Sequence, residues 1–133
     1  MVGEIDAGLA VLVGVAEGDD EPIAERLAER IANLRVFEND EGKFDRSLQQ
    51  VGGAALVVSQ FTLIADTRRR KATGRRPDFS GAAPRHVAEP LYDRFCQALR
   101  GLGVPVQTGV FGARMQLELV NDGPVTLVLD TDP

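Results

Sequence analysis

Two spacings of apolar residues alternate along the chain. Leu9 to Val15 is a short apolar run rich in valine, which at this length predicts a buried strand. Gly18-Asp19-Asp20-Glu21-Pro22 then supplies a capping side chain, acidic groups for the positive end of a helix and a proline tolerated in a first turn. Ile23, Leu27, Ile31 and Leu34 recur at helical spacing, with Glu25, Arg26, Glu29 and Arg30 on the other side. A helix with one face on a sheet is expected. Arg35 to Phe37 reads as a short strand, followed by turn chemistry from Glu38 to Lys43 in which Gly42 is free to take a positive φ.

The strongest strand signal, Ala54 to Leu63, follows Gly52-Gly53. In an extended segment Leu56, Val58, Gln60 and Thr62 share one face, and Val57, Ser59 and Phe61 the other. Polar groups thus gather at its C-terminal end. Thr67 to Ala83 is basic and rich in Gly, Pro and Ser, which predicts a long loop. A second helix is expected from Pro84 to Leu99, with Val87, Leu91, Phe95 and Leu99 at steps of four. An interior proline costs on the order of 3 kcal/mol, so Pro90 either kinks this helix or marks its proper start. Met115 to Val120 and Val125 to Leu129 read as two strands around Asn121-Asp122-Gly123-Pro124.

Composition narrows the class. With 133 residues, 44% apolar and 26% charged, the chain is expected to fold as one domain, 1–133, around a packed core. It has no run of 18 apolar residues, and Met1 to Asp6 has neither the basic flank nor the apolar stretch of a leader, so no membrane association and a cytoplasmic location are expected. The single cysteine, Cys96, excludes an internal disulfide. A net charge of −5 argues against nucleic acid, yet six of the nine residues from Arg68 to Arg76 are basic and none is acidic. That leaves 15 − 6, or 9, basic residues against all 20 acidic ones elsewhere, a single local cationic patch.

The usual nucleophilic machinery is missing. His86 and Cys96 are the only residues of their kinds, and on one helix they would stand about 15 Å apart, too far to form a pair. There is no Gly-x-Ser-x-Gly elbow, no glycine-rich phosphate loop and no metal-ligand spacing, so no cofactor and no metal are expected. Backbone N–H groups that hold a developing oxyanion remain as a source of catalysis. Thr62, beside Gln60, is the leading hydroxyl, although threonine also suits a strand by shape alone. Asn121 to Pro124 is equally an ordinary turn, since only about 5% of X-Pro bonds are cis.

Two strings decide between these readings: Ser59-Gln60-Phe61-Thr62-Leu63 followed by Ala65-Asp66, and Val120-Asn121-Asp122-Gly123-Pro124-Val125-Thr126. Between them stand Gly74, Arg76-Pro77 with Phe79, Leu91-Tyr92 with Phe95, Thr108-Gly109, Phe111-Gly112-Ala113 and Met115. Together they resemble the D-aminoacyl-tRNA deacylase family over nearly the whole chain. With the resemblance, the expected fold is α/β of the α+β type, a mostly antiparallel, barrel-like sheet with two helices.

The resemblance implies a homodimer with active sites shared across subunits, in which Gly123-Pro124, joined by a cis bond, reaches into the other subunit's pocket. Its carbonyls would admit a D-substrate or glycine and collide with an L side chain. Thr62 would lie in the active site with Ser59, Gln60 and Phe61, either as nucleophile or as a hydroxyl supporting a reaction assisted by the 2′-hydroxyl of the terminal adenosine. The second role is favoured, because a nucleophilic threonine needs a base nearby. N–H groups near Phe61 and Thr62 would hold the oxyanion. Arg68, Arg69, Arg70, Lys71, Arg75 and Arg76, with Phe111 and Met115, would meet the acceptor end of tRNA.

Two departures from the family pattern stand out. An N-terminal strand and hairpin with a Gln-Arg pair, usual before the Gly3-Glu4-Ile5 region, does not precede it in this sequence, so either the true start lies upstream of Met1 or the protein works without that strand; Asp78 also replaces a usual serine. Two rival readings are a nonenzymatic RNA-binding module that uses the Arg68 to Arg76 segment and has lost activity with its N-terminal strand, and a small-ester hydrolase unrelated to tRNA.

Overall fold

In the computed structural model, which describes residues 2–68, 74–123 and 125–131, the elements follow in the order β1 (Gly8–Val13), α1 (Glu21–Asn33), β2 (Phe37–Glu38), β3 (Phe44–Arg46), α2 (Leu48–Val51), β4 (Ala54–Ser59), a 3-10 turn (Phe61–Leu63), α3 (Arg85–Gly101) and β5 (Val106–Thr108). β1, β4 and β5 form one sheet in the order β1-β4-β5, and both pairings are parallel. β2 and β3 form a separate antiparallel hairpin. The expected mostly antiparallel, barrel-like sheet with two helices is therefore corrected: the main sheet is open and parallel, and among the described residues there are three helices. Parallel neighbours cannot be joined by a tight turn, and the crossovers they require carry α1 and α3.

The register explains why both long helices share one face. Leu9 stands opposite Ala55, Val11 opposite Val57, and Ala55 opposite Val106. These residues, with Val13, meet Ala28, Ile31 and Ala32 of α1 and Tyr92, Phe95, Cys96 and Leu99 of α3 in a single core. Phe95, Leu48, Leu99, Val57 and Val104 are its largest fully buried side chains. Burying a side chain of this size contributes about 1.5–3 kcal/mol. The other face of the sheet carries Ala10, Leu12 and Leu56, and Leu12 remains 45% exposed.

Local chemistry sets the ends of the helices. Asp20 caps α1 through a bond from the Ile23 N–H at 3.0 Å, with Pro22 in the first turn. A cap of this kind contributes about 1 kcal/mol. α3 begins after Pro84 and continues through Pro90 without ending there. α2, absent from the sequence reading, is started by a capping box: the Gln50 N–H donates to Ser47 Oγ, and the Ser47 N–H donates to Gln50 Oε1.

Four strand expectations change. The Arg35–Phe37 strand is shifted to Phe37–Glu38. Ala54–Leu63 is extended only to Ser59 and then tightens into the 3-10 turn, so the alternation of faces stops before Thr62. Among the described residues, 115–120 and 125–129 form no strand: their apolar spacing is present, but a strand exists only where a neighbour takes its backbone hydrogen bonds.

Candidate active site

The carboxyl ends of parallel strands meet at one edge of a sheet, and such edges are where open α/β sheets place ligands. Here β1 runs out at Val13-Gly14, β4 at Ser59-Gln60 and β5 at Thr108-Gly109. The Gln60 N–H donates to the Val13 carbonyl at 2.8 Å, which prolongs the β1–β4 pairing up to the 3-10 turn. The turn closes through Leu63 N–H to the Gln60 carbonyl (3.2 Å) and Ile64 N–H to the Phe61 carbonyl (3.0 Å). The N–H groups of Phe61 and Thr62 thus lie outside the turn's own hydrogen bonds.

Ser59, Gln60, Phe61 and Thr62 are consecutive here, and one side-chain contact defines their chemistry. Gln60 Nε2 donates to Thr62 Oγ1 at 2.5 Å. Phe61 is 60% exposed, while Thr62 and Gln60 are half-buried. Underneath, the turn lies close against Gly14. A Cβ on Gly14 would come within 3.1 Å of the Gln60 carbonyl oxygen and of Leu63 Cβ, and 3.2 Å from Ile64 Cγ1.

The basic segment is tied to this turn at its base. Asp66 and Asp78 exchange backbone hydrogen bonds at 2.8 and 2.9 Å. Glu17 N–H donates to the Gly81 carbonyl, and Ala83 N–H to the Val15 carbonyl, both at 2.9 Å, so the returning segment is stitched to the end of β1. Phe79, between these two anchors, meets Phe61 edge-on with ring centroids 5.4 Å apart. Arg68 clasps Asp66, with Nη2 to Oδ2 at 2.7 Å, and this contact raises the guanidinium above its usual range. Arg75 and Arg76 are exposed. Arg69, Arg70 and Lys71 lie outside the described residues.

Phe111 and Met115 follow β5 at the same edge. The Phe111 ring meets Tyr92 at a tilt, centroids 5.7 Å apart, and carries the Arg85 guanidinium over it at 5.4 Å. Met115 lays its thioether on Gly109, where a Cβ would come within 2.9 Å of the sulfur. Gly123 is exposed, in a turn that Asn121 spans with a bond to Thr126 Oγ1 at 3.2 Å. Pro124 lies outside the described residues. Its chain neighbours aside, the atoms that a Cβ on Gly123 would meet first are those of Val125.

His86 is exposed and Cys96 buried on α3, away from one another as their spacing requires. Among the described residues no cluster of three His, Cys, Asp or Glu side chains could hold a metal ion. Nor is any described helix long and apolar enough to cross a membrane. A surface hollow of about 630 Å³ is lined by Arg35, Asp45, Arg46, Gln50 and Val51, with Arg35 and Asp45 ion-paired across it. It contains none of the residues of the turn. Sequence reasoning missed the Asp66–Asp78 clamp and the Phe61–Phe79 contact, because neither pairing leaves a periodic signal.

A family model described as D-Tyr-tRNA(Tyr) deacylase matches residues 1–130. The chain belongs to this family. It is 58% identical over 131 residues to the D-aminoacyl-tRNA deacylase of Thermomicrobium roseum, covering 98% of this chain and 82% of that one. With the Thermus aquaticus enzyme of the same name it shares 56% identity over 131 residues, 98% of this chain and 84% of the relative. A solved structure titled c-Myc DNA Unwinding Element Binding Protein superposes with a TM-score of 0.77 at 38% identity, over 91% of this chain and 80% of that one. Another, of a probable eukaryotic D-amino acid tRNA deacylase, gives 0.72 at 20% identity over 90% and 82%, and shows the shared fold.

The activity is that of the family, hydrolysis of the ester that joins a D-amino acid to tRNA, a quality-control step in translation. This sets aside the nonenzymatic RNA-binding module and the small-ester hydrolase unrelated to tRNA.

Proposed function

We propose that Ser59 to Thr62 form the catalytic centre of this deacylase, and that Thr62 serves as a supporting hydroxyl rather than a nucleophile. The observation that carries this reading is the Gln60–Thr62 hydrogen bond. With Gln60 Nε2 donating at 2.5 Å, one acceptor site of the Thr62 hydroxyl is filled by a neutral amide and its own proton is left to donate. A nucleophilic threonine needs the opposite, a base that removes that proton.

The reaction then runs through the backbone and the substrate. Water adds to the ester carbonyl carbon, and the oxyanion is held by the Phe61 and Thr62 N–H groups, with the Thr62 hydroxyl beside them. The 2′-hydroxyl of the terminal adenosine takes up the water's proton and passes one to the 3′ oxygen as the ester bond breaks. One well-placed oxyanion donor is worth roughly 100- to 1,000-fold in rate.

Selection by handedness is assigned to Gly123-Pro124 of a second copy, whose carbonyls admit a D-residue or glycine and exclude an L side chain. The apolar side chains flanking that turn support association: Val120 and Val128 are 91% and 89% exposed, and Leu119 and Leu127 more than half. Arg68, Arg75 and Arg76, together with Arg69, Arg70 and Lys71, face the acceptor stem, while Phe111 and Met115 line the edge beside β5. A cytoplasmic homodimer without cofactor or metal completes the reading, over one domain, 1–133.

The test is single-turnover hydrolysis of matched D-, L- and glycyl-tRNA by the wild type, Thr62→Val and Thr62→Ser. Release of the D- and glycyl- esters alone is expected, with Thr62→Val slowed roughly tenfold or more and Thr62→Ser near wild type. Equal release of L-esters removes the gauge, and an acyl group trapped on Thr62 removes the supporting role.

A further inference from the structure

The 3-10 turn is only three residues long, and its aromatic residue is mostly in solvent. A segment that short is not rigid by itself, because its hydrogen bonds are few and of poor geometry. Yet catalysis through two backbone N–H groups demands that their direction be fixed before the ester arrives. Something beyond the turn has to hold it.

From below, Ile64 wedges between Gly14 and Gly81: a Cβ on either glycine would lie 3.2 and 3.5 Å, respectively, from Ile64 side-chain carbons. From above, the only aromatic contact to Phe61 among the described residues is the edge of Phe79. The Phe79 backbone is held on both sides. Asp78 exchanges two hydrogen bonds with Asp66 and accepts the Ser80 N–H on its carboxylate at 2.9 Å, and the Phe79 carbonyl accepts the Ala82 N–H at 3.0 Å. Its ring is half-buried where Phe61 is exposed. The anchored ring therefore supports the free one.

We propose that Phe79 is a positioning residue of the deacylation reaction, acting through Phe61 to fix the aim of the Phe61 and Thr62 N–H groups. The inference rests on the proposed role of that turn. It also joins the two halves of the site, since Phe79 follows the basic segment that ends at Arg76 and touches the turn that carries the chemistry. Edge-to-face pairs of this kind are worth enough to change a rate by roughly two- to tenfold.

The experiment is a double-mutant cycle on the full chain, with Phe79→Leu, Phe61→Leu, the double variant and Phe79→Tyr, reading kcat and KM for D-aminoacyl-tRNA with thermal unfolding alongside. Phe79→Leu is expected to lower kcat roughly three- to tenfold with KM within about twofold. Phe79→Tyr, which keeps the ring edge, restores it. In the Phe61→Leu background the Phe79→Leu effect disappears. If Phe79→Leu acts on KM alone, or lowers kcat by the same factor with and without Phe61, Phe79 does not work through the turn and the proposal is overturned. If Phe61→Leu itself leaves kcat unchanged, it is the role of the turn that fails.

Discussion

Tyr92 Oη donates to the Val57 carbonyl at 2.7 Å, in the buried centre of the molecule. The bond fastens α3 to the middle strand of the sheet two residues before Ser59, so the helix that spans the second crossover is locked to the strand that delivers the 3-10 turn proposed as the catalytic centre. Tyr92→Phe keeps the ring and deletes only the hydroxyl. Removing one partner of a buried hydrogen bond costs about 1–3 kcal/mol, and urea unfolding is expected to show a loss in that range with an unchanged m-value.

The same neighbourhood sets a sensitivity to alkali. Burial pushes the Tyr92 hydroxyl and the Cys96 thiol above their ordinary values. A raised value in the folded state means that the fold favours the protonated form, so its stabilisation is complete below the unfolded value and is lost as pH rises. Stability is expected to be level up to about pH 8.5, to decline from there through Cys96, and to decline more steeply above about pH 10 through Tyr92. Cys96→Ala should remove the first part and lessen but not abolish the second, because Cys96 adds to the burial that raises Tyr92, as read from denaturation midpoints across pH 7–11.

Gly14 gives a test of the turn from beneath. An added methyl would lie 3.1 Å from the Gln60 carbonyl oxygen and 3.1 Å from Leu63 Cβ, a separation that forces the turn to yield by a few tenths of an ångström. Small misplacements of catalytic groups cost large factors in rate. Gly14→Ala is expected to lower kcat roughly tenfold while the unfolding temperature moves little, and steady-state kinetics beside calorimetry would show it. Wild-type turnover in this variant would mean that the turn tolerates displacement.

Arg75 and Arg76 address the electrostatics. Phosphate contacts release counterions, so each one lost reduces the slope of log(kcat/KM) against log salt by about one unit. Arg75→Gln with Arg76→Gln should therefore weaken turnover at low salt, flatten its salt dependence and leave the preference for D-esters intact. An unchanged slope would assign the acceptor stem to other residues.

How much of this was legible in the sequence differs from element to element. α1 was, because Asp20, Pro22 and the Ile23-Leu27-Ile31 spacing all report on contacts within a few residues. The parallel order β1-β4-β5 was not: alternation shows that Leu9, Val11 and Val57 face a core, but not that Val11 lies beside Val57. β5 is three residues long, too short to stand out from its neighbours. α2 did leave a signal, the Ser47–Gln50 capping box, which the reading passed over. In the site, Gln60 and Thr62 were found as a string while their geometry was misread, since a strand would send both side chains to one face and the 3-10 turn brings them into contact through a bend instead. The apolar spacing at 115–120 and 125–129 was real, but a strand is a property of two segments, and only one was in view.

The clamp between Asp66 and Asp78 separates two kinds of change. Residues between the clamped positions can vary in number and charge while the bonded pair holds the ends of the segment at a fixed gap, so the turn beyond it feels little of the alteration. On the proposed roles of the basic segment and the turn, preference among nucleic-acid partners can thus drift by insertion and substitution on one side of the pair, while hydrolytic competence is inherited intact on the other.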